Sequence, residues 1–288
     1  MSKKPSLGII GGTGLYNLPG MKNLESKDVD TPFGKPSSPI FFGELKGKLI
    51  VFIARHGIGH FISPSEVNYK ANIYALKSLG VDTVVGISAC GSLRDDYSPG
   101  DLVIPDQLID FTKNRVSSFF GDGLVAHVGS ADPYCPELSK LAYEAVLSTG
   151  ATVHFGGTYI TIEGPRFSTK AESNLFRSWG LSVIGMTNSP EAFLAREAEM
   201  CYTTIAHVTD YDVWHESEEA VNVEMILNTL KNNTKIAQKA LDILLDKLGT
   251  DKMCGCSNAL ENTMVTQSDL IPTETKQKLQ KIIEKYIH

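Results

Sequence analysis

The sequence predicts an α/β fold, a single domain with a mixed, mostly parallel central sheet flanked by helices. Two observations predict it. Short apolar runs alternate with amphipathic helical segments along the chain, and several runs are apolar throughout, as strands covered on both faces are. The 288 residues are also 42% hydrophobic and 21% charged. These proportions indicate a packed core and exclude disorder, collagen and coiled coil.

The first predicted elements are strands. Residues 7–10 form a buried strand that ends at the glycine-rich loop 11–14. Residues 40–45 and 48–54 follow as two strands, and Lys46-Gly47 between them predicts a hairpin turn. The second of these strands ends just before Arg55.

The first predicted helix begins at Ser63. Ser63 can cap it, Pro64 suits the first helical position, and Glu66 completes a capping box. Apolar residues then recur at helical spacing as far as Leu79, and Gly80 ends the segment. Residues 81–89 are apolar at their centre and predict a strand buried on both faces.

The rest of the chain continues the alternation of strands and helices. Apolar runs predict strands at residues 102–104, 158–162, 183–184 and 201–208. Helical spacing predicts helices at residues 169–179, 189–199, 221–248 and 274–287. The sequence contains no internal repeat and no clear linker, so we expect one domain over residues 1–288.

Charge and cysteine content narrow the class of protein. The formal net charge is −6, and an acidic surface repels phosphate backbones, which argues against nucleic-acid binding. Five scattered cysteines are too few for a secreted disulfide scaffold. No signal peptide and no apolar run of membrane-spanning length is readable. We therefore expect a soluble, cytoplasmic protein.

The glycine-rich loop 11–14 follows a strand, where backbone N–H groups and the Thr13 hydroxyl can cradle an anion. It is not a Walker A loop, because no Gly-Lys-Ser/Thr follows. Asn17 also breaks the dinucleotide fingerprint. By itself, the loop is as consistent with a structural turn as with an anion site.

Further polar residues lie at predicted strand ends, where open α/β sheets bind ligands. The planar guanidinium of Arg55 is a natural phosphate clamp. His56 and His60 have a metalloprotease spacing without its glutamate, so a zinc site there is not expected. Ser88 and its neighbours add hydroxyl and backbone donors, whereas Cys90 has no readable catalytic partner.

Two later segments can recognise a flat heterocycle. Phe167 stands in a loop after a strand and can stack on a ring, although a lone phenylalanine more often belongs to a core. Asp210 and Asp212 follow the strand at 201–208, and their carboxylates can accept hydrogen bonds from a purine. Turn-forming acids are the ordinary alternative.

Together, the motifs resemble those of the methylthioadenosine phosphorylases within the trimeric purine nucleoside phosphorylase superfamily. The resemblance covers about residues 7–248 and is less clear over 249–288. The motifs that carry it are Gly-Gly-Thr-Gly-Leu at 11–15, Arg-His-Gly at 55–57, Ala-Cys-Gly-Ser-Leu at 89–93, Pro-Gly-Asp at 99–101, Ile-Glu-Gly-Pro-Arg-Phe-Ser at 162–168 and Thr-Asp-Tyr-Asp at 209–212.

The resemblance implies a glycosyl transfer in purine and methionine salvage, in which orthophosphate cleaves methylthioadenosine to adenine and 5-methylthioribose 1-phosphate. It implies no metal and no organic cofactor, orthophosphate being a co-substrate. Asp210 is implied as the catalytic acid. The implied phosphate-binding residues are Thr13, Arg55, His56, Ser88, Ala89 and Thr187.

Substrate contacts are implied in the same way. Phe167 and Ser168 would flank the base, Asp210 and Asp212 would read a 6-aminopurine, and Met186 would lie against the ribose. An apolar wall beside the 5′ position is implied at the helical spacing of Val223, Ile226 and Leu227.

Assembly and cysteine pairing are implied as well. His127 matches a residue that reaches into a neighbouring subunit's site, which implies a homotrimer or a dimer of trimers. The Cys254-Gly255-Cys256 segment resembles a pair in members from heat-loving organisms, where Cys135 and Cys201 could also bond. The composition lacks the Lys and Glu excess of such organisms.

Other functions remain open from the sequence. Within the enzymes, these are a purine nucleoside or methylthioinosine phosphorylase of broader specificity and a nucleosidase that uses water. A different class is a nucleoside-binding protein without catalysis, for which an acid such as Asp210 would have no purpose. The broken fingerprint at Asn17 argues against a dinucleotide-dependent oxidoreductase.

Overall fold

A computed structural model describes residues 4–12, 18–215, 223–249 and 254–287. The strands are β1 (Leu7–Gly11), β2 (Lys22–Lys27), β3 (Ile40–Leu45), β4 (Lys48–Ala54), β5 (Thr83–Ser92), β6 (Leu102–Ile104), β7 (Gln107–Phe111), β8 (Val153–Phe155), β9 (Thr158–Ile162), β10 (Val183–Gly185) and β11 (Cys201–Asp210). The helices are α1 (Tyr69–Ser78), α2 (Pro136–Leu147), α3 (Lys170–Ser178), α4 (Asn188–Glu197), α5 (Val223–Lys247), α6 (Thr273–Lys278) and α7 (Gln280–Ile283), with a 3-10 turn at Gly255–Asn258.

The strands form one mixed sheet with β5 at its centre. β5 pairs in parallel with β1 on one side and with β11 on the other, and its last residues pair antiparallel with β10. Parallel pairing also joins β1 to β4, β10 to β9, β9 to β7 and β6 to β8. The mixed, mostly parallel sheet predicted from the sequence is therefore confirmed.

Helices cover both faces of this sheet. Successive strand residues point to opposite faces, so Ile10 packs with α1, α4 and α7 while its neighbour Ile9 packs with α2 and α5. Both residues are fully buried. This double burial explains why the central strands are apolar throughout rather than alternating.

The hairpin between β3 and β4 forms as predicted. Leu45 pairs with Lys48, and both intervening residues have positive φ, 52° at Lys46 and 72° at Gly47. These values define the tight turn whose twist matches that of the flanking strands.

The prediction that a helix begins at Ser63 is wrong. The Ser63 N–H and hydroxyl do bind the Glu66 carboxylate, but they close only a local turn. The helix α1 begins at Tyr69, because the Asn68 side chain caps it by accepting from the Ala71 N–H. The sequence thus has two capping signals close together, at Ser63 and Asn68, and a helix follows only the second.

Other elements differ from the prediction. The sequence analysis missed β2, β7, β8 and α2, although Pro136 at the first position of α2 is a recognised helix start. The single helix expected at residues 274–287 is two short helices, α6 and α7, which meet at Leu279. Within the described residues, no helix is long and apolar enough to cross a bilayer.

A buried ion pair joins the strand ends to the helical layer. The Arg55 and Glu191 side chains are 2% and 1% exposed, and both Nε and Nη2 of Arg55 lie 2.8 Å from carboxylate oxygens of Glu191. The guanidinium also donates to the carbonyls of Ile10 in β1 and Ile87 in β5. Burial disfavours the charge, but attraction to Glu191 outweighs it and raises the pKa of Arg55.

We expect Glu191→Gln to lower the free energy of unfolding by about 3–5 kcal/mol, because it leaves the Arg55 charge buried without a counter-ion. Urea denaturation measures the change. The matched control is Asp96→Asn, which breaks the exposed pair with Arg94 and should cost about 1 kcal/mol or less. Equal losses in the two variants would contradict the structural role of the buried pair.

Candidate active site

The candidate site lies around the carboxyl ends of β1, β4, β5 and β11. These four strands are parallel neighbours through β1 and β5, so their ends meet at one edge of the sheet. β10 runs the opposite way beside the end of β5 and passes Gly185 close to the Ala89 carbonyl. The segment after β10, with Met186 and Thr187, therefore begins at the same place.

Two hydroxyl groups at this edge are buried without partners. Ser88 in β5 is 7% exposed and Thr187 is 6% exposed, and neither hydroxyl makes a hydrogen bond to any described residue. Both lie beside the Tyr159 hydroxyl, which also lacks a described partner. Buried hydroxyls are normally satisfied, so this group has the chemistry of a binding site for an oxygen-rich ligand.

Arg55 offers fewer free hydrogen-bond donors at this edge than the sequence suggested. The sequence analysis expected its planar fork to clamp phosphate, but the fork binds Glu191. With the carbonyls of Ile10 and Ile87 also bound, four of the five guanidinium N–H groups are occupied. One N–H of Nη1 is left for a ligand.

His56 is held as a neutral imidazole. Its Nδ1 lies 2.9 Å from the Ile62 carbonyl oxygen, which only accepts, so Nδ1 carries the hydrogen. Burial, with the Arg55 charge beside it, lowers the pKa of His56 to about 4. The ring stacks on His60 with centroids 4.4 Å apart. Its Nε2 is therefore a hydrogen-bond acceptor near neutral pH.

Asp210 is a buried carboxyl at the end of β11. It accepts from the Thr209 hydroxyl at 2.7 Å and from the Asp212 N–H at 2.8 Å. Burial raises the pKa of Asp210 to about 6, against the effect of these two hydrogen bonds. Gly91 permits the arrangement, because a Cβ there would lie 2.9 Å from Oδ1 of Asp210. The carboxyl can thus hold a proton near neutral pH.

Asp212 lies beside Asp210 in a left-handed turn, with a φ of 51°. Burial raises its pKa, and the nearby Ser173 and Ser168 hydroxyls oppose the rise. Its Oδ2 and the Ser168 hydroxyl are buried, and neither has a hydrogen-bond partner among the described residues. This part of the site offers an acceptor oxygen that no protein donor satisfies.

The loop after β9 borders the two acids. Phe167 is 42% exposed, so its ring belongs to no core and is free to stack. Gly164 packs against Met186, whose sulfur would lie 2.5 Å from a Cβ at that position. The structure thus brings Phe167, Ser168 and Met186 to one side of the edge.

Sequence reasoning missed Arg115, which organises this loop. The Arg115 side chain is 2% exposed and donates to the carbonyls of Met186, Ser189 and Glu163. Burial would raise the pKa of the Glu163 carboxyl, but hydrogen bonds from backbone N–H groups, the Ser65 hydroxyl and Arg115 lower it to about 2. Nothing near Arg115 in the sequence distinguishes it from a surface arginine.

Some predicted residues are placed elsewhere or are not described. His127 is exposed, and its N–H donates to the Thr263 carbonyl. It lines a 470 Å³ cavity whose described walls include none of the residues at the strand ends. Thr13 lies outside the described residues. Val223, Ile226 and Leu227 belong to α5, but their side chains also lie outside the described part.

The cysteines do not form the pairs considered from the sequence. All five, each in the described part of the chain, are free. Cys90 is buried among apolar residues, and burial, together with Asp210, raises its pKa. The thiol therefore stays protonated, in agreement with the prediction that it is not a nucleophile.

Comparisons with known proteins identify the family. The model of the phosphorylase superfamily matches residues 6–248, so the chain belongs to that superfamily. It is 50% identical over 280 residues to the S-methyl-5′-thioadenosine phosphorylase of Koribacter versatilis, covering 97% of this chain and 96% of that one. The corresponding protein of Geobacter sulfurreducens is also 50% identical, over 98% and 99% of the two chains.

Solved structures give the same result. A methylthioadenosine phosphorylase from an antarctic soil metagenomic library superposes with a TM-score of 0.93 at 44% identity, over 98% of this chain and 99% of that one. Methylthioadenosine phosphorylase from Schistosoma mansoni, solved in complex with adenine, superposes with a TM-score of 0.82 at 36% identity, over 90% and 96%. The resemblance and fold predicted from the sequence are confirmed.

The raised pKa of Asp210 predicts a pH-dependent stability. The folded carboxyl titrates at about 6 and the unfolded one at about 3.9. Protonation of Asp210 therefore stabilises the folded protein fully below pH 3.9, and this stabilisation is lost as pH rises to about 6. Asp210→Asn keeps a neutral side chain throughout. We expect this variant to gain stability relative to wild type between pH 4 and 6, by about 3 kcal/mol, and to hold that gain above pH 6.

Urea denaturation at pH 4, 5, 6 and 8 measures this difference. The control Asp96→Asn should show a stability difference from wild type that is constant from pH 5 to 8, because hydrogen bonds from Arg94 lower the pKa of that exposed carboxyl and it titrates below this range. A stability difference between Asp210→Asn and wild type that did not vary with pH would refute the buried titration.

Proposed function

We propose that the protein catalyses phosphorolysis of S-methyl-5′-thioadenosine, giving adenine and 5-methylthioribose 1-phosphate. One observation carries this proposal: unpartnered buried hydroxyls and a protonatable buried carboxyl lie along the same strand end. Ser88 and Gly91, which contacts Asp210, are three residues apart in β5, or about 10 Å. A sugar fits between a phosphate at one end and a base at the other.

The phosphate site is built mainly from neutral donors and one acceptor. Ser88 and Thr187 can donate their free hydroxyls to phosphate oxygens, and Arg55 can add its one remaining N–H. We assign the Ala89 backbone and Thr13 to the same site by their motifs. Because Nε2 of His56 only accepts, it pairs with a P–OH group of phosphate, which both the monohydrogen and the dihydrogen ion carry.

The cleavage step separates charge. As the N-glycosidic bond breaks, positive charge grows on the sugar and negative charge on the leaving purine. Phosphate beside the anomeric carbon stabilises the first charge and then bonds to that carbon from the opposite face. Asp210 gives its proton to the purine as the bond breaks, so its interaction strengthens only as the reaction proceeds.

The base and the 5′ group are recognised by different contacts. The free Oδ2 of Asp212 can accept from an exocyclic amine, whereas a 6-oxo group would meet repulsion. Phe167 is placed to stack on the purine, Ser168 to flank it and Met186 to contact the ribose. Val223, Ile226 and Leu227 are assigned to the apolar wall around the methylthio group.

We also propose that the site is completed by assembly. His127 is exposed on its own protomer and lines no part of the described strand-end site. A homotrimer, or a dimer of trimers, in which His127 reaches a neighbouring site accounts for both facts.

The test of the activity is base release from methylthioadenosine by purified protein, with and without phosphate, beside adenosine, inosine and methylthioinosine. We expect phosphate-dependent release of adenine, fastest from methylthioadenosine. Release without phosphate would identify a nucleosidase, and a preference for inosine would identify a 6-oxopurine enzyme. Binding without release from any substrate would identify a nucleoside-binding protein.

Removing either free hydroxyl should weaken phosphate binding specifically. For Ser88→Ala and for Thr187→Val we expect the KM for phosphate to rise about tenfold or more, as loss of a hydrogen bond to a charged group costs about 1.5–3 kcal/mol. Steady-state kinetics with varied phosphate measures it. The control Ser139→Ala removes a buried hydroxyl that bonds Thr203 elsewhere and should leave this KM unchanged. A rise in the control alone would contradict the assignment.

Changing the acid to an amide should alter the choice of base. Asp210→Asn loses its transferable proton, so we expect kcat for methylthioadenosine to fall about 100-fold or more. The new amide can donate to a 6-oxo group, so the ratio of kcat/KM for methylthioinosine to that for methylthioadenosine should rise. Unchanged methylthioadenosine kinetics would remove Asp210 from the mechanism.

A further inference from the structure

Four of the five cysteines meet at one place outside the strand-end site. The Sγ atoms of Cys135, Cys201, Cys254 and Cys256 all lie within 4.8 Å of one another. Three of the four residues are buried and Cys254 is half-buried. We call this group the thiol cluster.

The thiol cluster joins parts of the chain that are far apart in sequence. Cys135 immediately precedes α2, Cys201 is the first residue of β11, and Cys254 and Cys256 stand at the 3-10 turn beyond α5. Short apolar side chains would fill this space without the reactivity of thiols. Four convergent sulfurs instead have the composition of a tetrathiolate metal site.

The distances favour coordination over disulfide bonding. The Sγ atoms of Cys201 and Cys254 are 3.3 Å apart, well beyond a disulfide length of about 2.05 Å. Tetrahedral ligands at the Zn–S distance of about 2.3 Å are about 3.8 Å apart. A cluster in which all four sulfurs lie within 4.8 Å of one another, one pair at 3.3 Å, therefore needs only small shifts to surround a zinc ion.

The surroundings can carry the negative charge of thiolates. Nη1 of Arg196 lies 3.8 Å from Cys256 Sγ and donates to it, and such outer donors tune thiolate sites. Cys135 stands at the N-terminus of α2, where the helix dipole stabilises an anion.

We propose that the thiol cluster binds one Zn²⁺ ion as a closed, structural tetrathiolate site. The ion displaces the four thiol protons, and the resulting unit carries a charge of −2. With all four positions taken by sulfur, no position remains for water, so the ion takes no part in phosphorolysis. The expectation that the reaction needs no metal is unaffected.

The site would tie the C-terminal segment to the core. That segment, residues 254–287, also contacts Glu199, whose Oε1 accepts from the Leu260 N–H and the Tyr286 hydroxyl. Glu199 stands just before Cys201, so the zinc and these hydrogen bonds act on the same junction. A 330 Å³ cavity lined by Cys135, Cys201 and Cys254 gives the ion a route from solvent.

The direct test is the metal content of tag-free, full-length protein purified under reducing conditions without chelators, measured by mass spectrometry of the elements. We expect about one zinc per chain. A mercurial thiol reagent should release that zinc in step with modification of the cluster thiols, a measurement that needs no variant. Cobalt(II) in its place should give the strong visible absorption of a tetrahedral thiolate complex.

Variants then assign the ligands. Cys254→Ser and Cys256→Ser should lose zinc and become more sensitive to proteolysis near residue 254, whereas the control Cys90→Ala, which lies outside the cluster, should keep its zinc. A reduced, zinc-supplemented wild-type protein without metal would overturn the proposal. Peptide mapping that found disulfides between cluster cysteines in that protein would overturn it as well.

Discussion

The ion pair between Arg55 and Glu191 is the interaction on which the rest of the structure depends. It lies where β1 and β4 end, beside the middle of β5, and it connects the carbonyls of Ile10 and Ile87 with a helix of the covering layer. Tyr202 of β11 donates to the same carboxylate. Separating the two charges would leave each buried without a counter-ion, which is strongly destabilising, so the pair holds the strand ends against α4.

This pair also determines how the protein can bind an anion. Because Glu191 neutralises Arg55, the strand-end site has no free guanidinium fork. We propose that the hydroxyls of Ser88 and Thr187 and the acceptor nitrogen of His56 bind the anion instead. A site of this kind would discriminate by hydrogen-bond pattern more than by charge. It differs in this respect from a site built on arginine clamps.

The sequence singled out several residues that the fold brings to one edge of the sheet, but it misplaced the start of a helix beside them. Ser88, Asp210 and Asp212 could be found because a polar residue at the end of an apolar run stands out, and parallel strands bring such ends together. The start of α1 could not, because Ser63 and Asn68 both satisfy a local capping rule. A capping rule uses only the local sequence, so it does not show which of the two turns packs against the core. Arg115 was missed for a related reason, since its partners are mostly carbonyls, which every residue carries.

The sequence by itself determined the strand–helix alternation, the double-sided burial of the central strands and the family motifs. Each of these depends only on the order of apolar and polar residues along the chain. Only the tertiary structure decided the raised pKa of Asp210, the engagement of Arg55 by Glu191 and the meeting of Cys135, Cys201, Cys254 and Cys256. All three depend on burial and on distances between residues far apart in the chain, quantities that exist only once the chain has folded.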